Sequence, residues 1–164
     1  MIVLLPGVHL RMLSRLAGLS LNTTHYHIHN LEKDGEIHCQ KEGGYLRAYP
    51  SWVKDERTMK VYALLQQKAA RKILLALSRQ GRTDGPPMTN GAISDSTGLS
   101  KSTVSEYLTL FRDLQIARRT TSVEGRVIFE LEEHDVDYTL SILESLDRSL
   151  LARATDSYLD LWEM

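Results

Sequence analysis

The fold turns on how the stretch "TTHYHIHNLEKDG", residues 23–35, is read. His25, His27 and His29 alternate with Tyr26 and Ile28, so on a strand the three imidazoles would share a face and look like a ligand set. Thr24, Ile28 and Leu31, however, are spaced i, i+4, i+7, which is one apolar face of a helix. On a helix His25 and His29 share the outer side and His27 falls on the opposite flank, expected as partly buried packing. A second copy of the pattern decides for the helix.

Residues 8–49 align without a gap on residues 88–129. Leu13 falls on Ile93, Gly18 on Gly98, Leu19 on Leu99 and Ser20 on Ser100. Thr23 falls on Thr103, Ile28 on Leu108, Leu31 on Phe111 and Tyr49 on Phe129. Each copy carries "AGLS" or "TGLS", where glycine can end one helix in the left-handed region and serine can cap the next. Each continues into an alternating run, "EIHCQKEGGYLRAY" (36–49) and "IARRTTSVEGRVIFEL" (116–131), with turns marked by Gly43-Gly44 and Glu124-Gly125. Helix, tight turn, helix and hairpin make a winged helix-turn-helix. The expected class is mainly α with small β-wings (α+β). It comprises a first module at 1–52, a linker helix at 53–67, a second module at 68–133 and a C-terminal helical segment at 134–164.

These motifs resemble tandem winged helix-turn-helix regulators, above all the two-module type common in archaea, and each module is similar to the ArsR and MarR families. The resemblance is carried by "PGVHLRMLSRLAGLSLNTTHYHIHNLEKDGEI" (6–37) and "YLRAYP" (45–50) in the first copy. In the second it is carried by "AARKILLAL" (69–77), "GLSKSTVSEYLTLFRDLQIARR" (98–119) and "EGRVIFEL" (124–131). It implies a sequence-specific regulator of transcription that binds double-stranded DNA. Two features depart from the pattern. The second module has its leading helix at 68–80, whereas in the first Met1–Leu5 can supply only the last turn of one. The segment "DERTMKVYALLQQ" (55–67), or a partner subunit, is the candidate to fill that groove. The connection "GRTDGPPM" (81–88) is also longer than usual.

A recognition helix reads base edges while the wing holds phosphates. Off the core face of the first such helix lie Asn22, Thr23, His25, Tyr26, His29 and Lys33; on the second lie Lys101, Ser102, Thr103, Ser105, Glu106, Thr109 and Arg112. The wings add Lys41 and Arg47 in one copy and Arg118, Arg119 and Arg126 in the other. Charge distribution agrees with that placement. Residues 1–131 hold 18 Lys/Arg against 12 Asp/Glu, a net of +6, and residues 132–164 hold 2 against 9, a net of −7. The acidic end keeps a helical apolar interval through Val136, Leu140, Leu143, Leu146, Leu150 and Ala154, expected as a dimerisation helix that would make a homodimer, with an intramolecular brace as the alternative.

Composition narrows the alternatives. The single Cys39 excludes an intrachain disulfide and fits a cytoplasmic protein, and the apolar start is too short for a signal peptide or membrane span. There is no glycine-rich phosphate loop and no nucleophile–histidine–acid set, so neither catalysis nor a cofactor is expected. Two rivals to the DNA-binding reading stand. One is a winged-helix protein-interaction module of the transcription machinery. The other is a metal-responsive, ArsR-like repressor using His25 and His29 with His38 and Cys39 nearby.

Overall fold

A computed structural model describes residues 2–3, 5–80 and 88–132. The long connection at 81–87 and the C-terminal segment from 133 lie outside the described residues. The chain divides into two compact units, with the boundary between Ala63 and Leu64. It therefore falls inside the segment expected as a separate linker helix.

The first unit runs β1 (Val8–His9), α1 (Leu10–Ala17), α2 (Leu21–Lys33), β2 (Ile37–Glu42), β3 (Tyr45–Pro50) and the start of α3 (Glu56–Leu65). Residues 23–35 are helical through Lys33, as the apolar spacing demands, and Thr24 and Ile28 are buried. The turn before α2 is closed three times over. Gly18 takes φ 63°, the Leu19 N–H donates to the Ser14 carbonyl at 3.1 Å, and the Ser14 hydroxyl donates to the Leu19 carbonyl at 2.7 Å. Ser20 Oγ then accepts from the Thr23 N–H at 3.1 Å and starts α2. Glycines 43 and 44, both at positive φ, make the two-residue turn that joins β2 to β3.

No leading helix precedes α1 among the described residues. The chain enters instead as a strand the sequence pattern does not signal, β1, which pairs antiparallel with β3 (Val8 with Ala48) to give the sheet order β1-β3-β2. Gly7, at φ 76°, sits where a Cβ would be 3.0 Å from Tyr49 Cε1 and 3.3 Å from Ala63 N, so any side chain there is both strained and crowded. The segment expected to fill the vacant groove packs elsewhere. On α3 the Met59 carbonyl accepts from Tyr49 Oη at 3.3 Å, and Met59 Sδ lies 3.3 Å from His38 Nε2, which places this helix against β2 and β3. Burial, then the Glu42 charge, raises the Tyr49 phenol to about 12, so Tyr49 stays a donor.

The second unit runs from the end of α3 through α4 (Lys68–Gln80), α5 (Asn90–Thr97), α6 (Lys101–Asp113), β4 (Ala117–Thr121) and β5 (Val127–Leu131). Its turn repeats the first in detail: Gly98 at φ 69°, the Ser94 hydroxyl donating to the Leu99 carbonyl at 2.6 Å, and Ser100 Oγ accepting from the Thr103 N–H at 3.1 Å. Here the leading helix is present. Ala70, Ile73, Leu74 and Leu77 of α4 are buried with Ile93, Val104, Leu108 and Phe111 of α5 and α6. Each of these large side chains contributes roughly 1.5–3 kcal/mol of burial.

The wings are not equivalent by gapless alignment. Cys39 pairs with Ala48, whereas Arg119 pairs with Phe129, so the second hairpin holds one extra residue. Ala48, not Tyr49, is the counterpart of Phe129. The entry strands agree: Val8 pairs with Ala48, and the Phe129 N–H donates to the Met88 carbonyl at 3.0 Å. A shift of one residue on a strand exchanges its faces, which is why Tyr49 is core and its true counterpart is Glu130.

Two predictions follow from the caps. Ser100→Ala removes the acceptor for the Thr103 N–H and is expected to cost about 1 kcal/mol in denaturant unfolding. His9 caps α1, its Nδ1 accepting from the Met12 N–H at 3.2 Å, so only the neutral ring serves. Burial, then Arg47, Arg15 and Arg11, holds its pKa below the usual 6.5. The folded state then binds fewer protons than the unfolded one. The cap's contribution is present above the unfolded value and is lost as pH falls through the folded one. His9→Asn keeps a capping acceptor that does not titrate. Thermal melts from pH 7.5 to 5 should show a steeper loss of stability in the parent than in the variant, and equal slopes would refute the assignment.

Candidate nucleic-acid interface

In the second unit the outer face of α6 exists because Val104, Leu108 and Phe111 commit the other face to the core. Lys101, Ser102, Ser105, Glu106, Thr109 and Arg112 are exposed on it, and Thr103 is half-buried beside its cap, with Oγ1 2.8 Å from Ser100 Oγ. Thr109 Oγ1 donates back to the Ser105 carbonyl at 3.0 Å, leaving its methyl and lone pairs outward. Short side chains along this face allow close approach to a groove floor.

Beside this face lies a concavity of about 460 Å³, lined by Thr89, Asn90 and Gly91 at the start of α5, by Ser105, Leu108, Thr109 and Arg112 of α6, and by Arg119, Val127 and Phe129 of the wing. Two guanidinium groups and no carboxylate line it, so it attracts anions. The Asn90 amide NH₂ donates to the Lys101 carbonyl at 3.3 Å and to Ser105 Oγ at 3.2 Å, which ties α5 to α6. Its buried Oδ1 has no partner. The Lys101 stem passes 4.0 Å from where a Gly91 Cβ would be, close to the first turn of α5. The start of α5, where Thr89 Oγ1 already takes the Ala92 N–H, with a lysine stem and two arginines around one hollow, suits a phosphate oxygen. Sequence reasoning missed Thr89, Asn90 and Gly91; the capping threonine followed by asparagine and glycine was the available signal.

On the wing, Arg118 and Arg119 are neighbours on β4 and so face opposite sides of the hairpin. Arg119 lines the hollow, whereas Arg118 pairs across the sheet with Glu130 at 3.2 Å. Arg126 lies 3.4 Å from Glu124 at the wing tip with both side chains mostly exposed, a pair that solvent and phosphate can readily exchange.

The first unit has the same frame and different chemistry. Asn22, Thr23, His25, Tyr26, His29 and Lys33 are all exposed on α2, Tyr26 by 63%, and Lys41 is exposed on the wing. Arg47 is the correction. Its Nη1 donates to the Gly7 carbonyl at 2.8 Å, its Nε lies 3.0 Å from Glu42, and only 13% of its side chain is exposed. It braces β1 on β3 rather than reaching outward. Where the second unit has Arg112 and Arg119, the first has Glu32 and Cys39, and Glu32 Oε1 accepts from the Cys39 N–H at 2.8 Å. That corner is acidic and already hydrogen-bonded. A second correction concerns His27, which is exposed rather than partly buried. Its counterpart Tyr107 is half-buried and donates to Gln67 Oε1.

Among the described residues no group of three or more His, Cys, Asp or Glu side chains sits close enough to hold a metal ion. His38 is turned onto Tyr49, ring centroids 5.6 Å apart, and burial followed by the Glu32 charge raises the Cys39 thiol to about 11. No described helix is long and apolar enough to cross a membrane.

Residues 70–120, which span α4 through most of β4, match the IclR helix-turn-helix domain, a stretch shorter than a third of the chain. No curated protein matches. Among solved structures, the chain is similar to a possible HxlR family transcriptional factor from Thermoplasma volcanium (18% identity, 71% of this chain and 98% of that one, TM-score 0.47). It is also similar to MepR, a transcription regulator of the Staphylococcus aureus multidrug efflux pump MepA (16% identity, 66% and 86%, TM-score 0.43). A third likeness is to RV1404 from Mycobacterium tuberculosis (14% identity, 60% and 67%, TM-score 0.45). These likenesses are distant, and the assignment of individual residues rests on the geometry of the chain itself.

Proposed function

We propose that the chain is a transcriptional regulator that binds double-stranded DNA through winged helix-turn-helix modules, with α6 and α2 as recognition helices. The observation that carries this reading is the hollow of the second unit, where Arg112, Arg119 and the start of α5 converge beside an exposed face of small polar side chains. The match of residues 70–120 to a helix-turn-helix domain supports it.

The two modules divide the work unequally. The second anchors phosphates through Arg112 and Arg119, with Lys101 beside the α5 start. Ser102, Ser105, Glu106 and Thr109 face base edges. The first contributes Asn22, His25, Tyr26, His29, Lys33 and Lys41 on a surface whose matching corner holds Glu32. Its share of affinity is the smaller. The acidic segment at 134–164 pairs two chains into a homodimer, so that equivalent recognition helices meet two half-sites. Neither a cofactor nor a catalytic group takes part, and the working site is the cytoplasm.

Titration of a fluorescent duplex at several salt concentrations tests the proposal. Affinity is expected to fall steeply with salt, and absence of binding at low salt would overturn the reading. Arg112→Ala with Arg119→Ala should lower the slope of log K against log salt by about 2 and weaken all sequences alike. Arg118→Ala should do less, because Arg118 is engaged by Glu130 on the other face. A change of sequence preference in the arginine variants would instead make them base readers.

A further inference from the structure

The two units differ in one respect that neither the wings nor the recognition helices explain. In the second, α4 covers the groove between α5 and α6: the Lys72 ammonium donates to the Thr97 carbonyl at 2.9 Å, and Tyr107 donates to Gln67. Beneath it Ile93, Leu108 and Phe111 are almost completely inaccessible. In the first unit no described helix covers the same groove, between α1 and α2. It forms a mainly apolar hollow of about 410 Å³ whose lining includes Val3, Leu13, Ala17, Leu19, Ile28 and Leu31. Leu19 and Leu31 are 39% and 38% exposed and Val3 64%, whereas Phe111, the counterpart of Leu31, is 0% exposed. His27 lines this hollow at the place of the half-buried Tyr107. α3 does not close it, because α3 lies against Tyr49 and His38.

The chain holds a second copy of the covering helix. "ILLALSR" at 73–79 in α4 is matched by "ILESLDR" at 142–148, identical at four of seven positions. The match falls on the residues α4 buries. Ala70, Ile73, Leu74 and Leu77 correspond to Thr139, Ile142, Leu143 and Leu146, so small, β-branched and leucine positions recur at i, i+3, i+4 and i+7. The half-buried Leu75 becomes Glu144, and Ser78 becomes Asp147, both at the edge of that face.

We propose that residues 139–150 of the C-terminal segment form the missing covering helix and dock in the α1–α2 groove of the first unit. Ile142, Leu143 and Leu146 then lie over Leu13, Ile28 and Leu31, and position 141 lies near Ala17 as Lys72 lies near Thr97. This deepens the role given above to the C-terminal segment by naming the surface that receives it.

The test uses the full chain with Cys39→Ser, so that only introduced thiols react. Ala17→Cys with Ser141→Cys, treated with a short bis-maleimide, should give a 17–141 crosslink by peptide mass spectrometry. Val123→Cys with Ser141→Cys, in which residue 123 is fully exposed on the other unit's wing, serves as control. A yield no higher than the control overturns the proposal. A crosslink between chains supports both the covering helix and the homodimer; one confined to single chains supports the covering helix and removes that basis for pairing. In parallel, Leu143→Asp with Leu146→Asp should speed amide exchange across residues 13–31 about tenfold. Unchanged exchange there would also overturn the assignment, whatever the DNA titration shows.

Discussion

The serine–glycine turn ahead of α2 and of α6 is the constraint on which the rest depends. A helix can be offered to a groove only if its entry angle is held, and here three independent devices hold it. Gly98 supplies a left-handed residue, the Ser94 hydroxyl closes on the Leu99 carbonyl, and Ser100 receives the first free N–H groups of α6. The first unit repeats all three with Gly18, Ser14 and Ser20. With the turn closed, one apolar face of each second helix is driven into the core and the opposite face is left to solvent.

On that shared frame the units diverge by side-chain chemistry. Arg112 and Arg119 make the hollow of the second unit cationic, and the same corner of the first holds Glu32 hydrogen-bonded to the Cys39 amide. Coulomb attraction to a phosphate at a few ångströms is worth several times more in such a partly enclosed corner than at an open surface. A shared turn-and-helix frame therefore presents a cationic hollow in one unit and aromatic and imidazole groups in the other. The α1–α2 groove of the first unit is a further divergence, in packing rather than in charge. It leaves Leu31 and His27 exposed where Phe111 is buried and Tyr107 is half-buried.

The sequence by itself determined the helices, the turns and the repeat. These depend on interactions within a few residues: the i, i+4, i+7 spacing of Thr24, Ile28 and Leu31, the capping serines, and glycines at positions that need positive φ. It also placed most of the exposed faces of α2 and α6, since a buried stripe implies its opposite, but not His27 and Leu31, which are exposed. What it could not decide were matters settled by partners distant along the chain. Arg47 reads as a wing cation and is instead drawn onto the Gly7 carbonyl, forty residues away. One extra wing residue moved Tyr49 out of register with Phe129, and no local pattern reveals that because both runs alternate equally well. β1 is two residues long and exists only because β3 offers an edge, and α3 chose the sheet over the vacant groove because Tyr49 and His38 meet Met59 there. The hollow of the second unit is the same kind of feature. Asn90 on α5, Arg112 at the end of α6 and Arg119 on β4 belong to three different elements, and only the tertiary fold, by packing α5 on α6 and the wing beside them, brings their charges and hydrogen-bonding groups to one place.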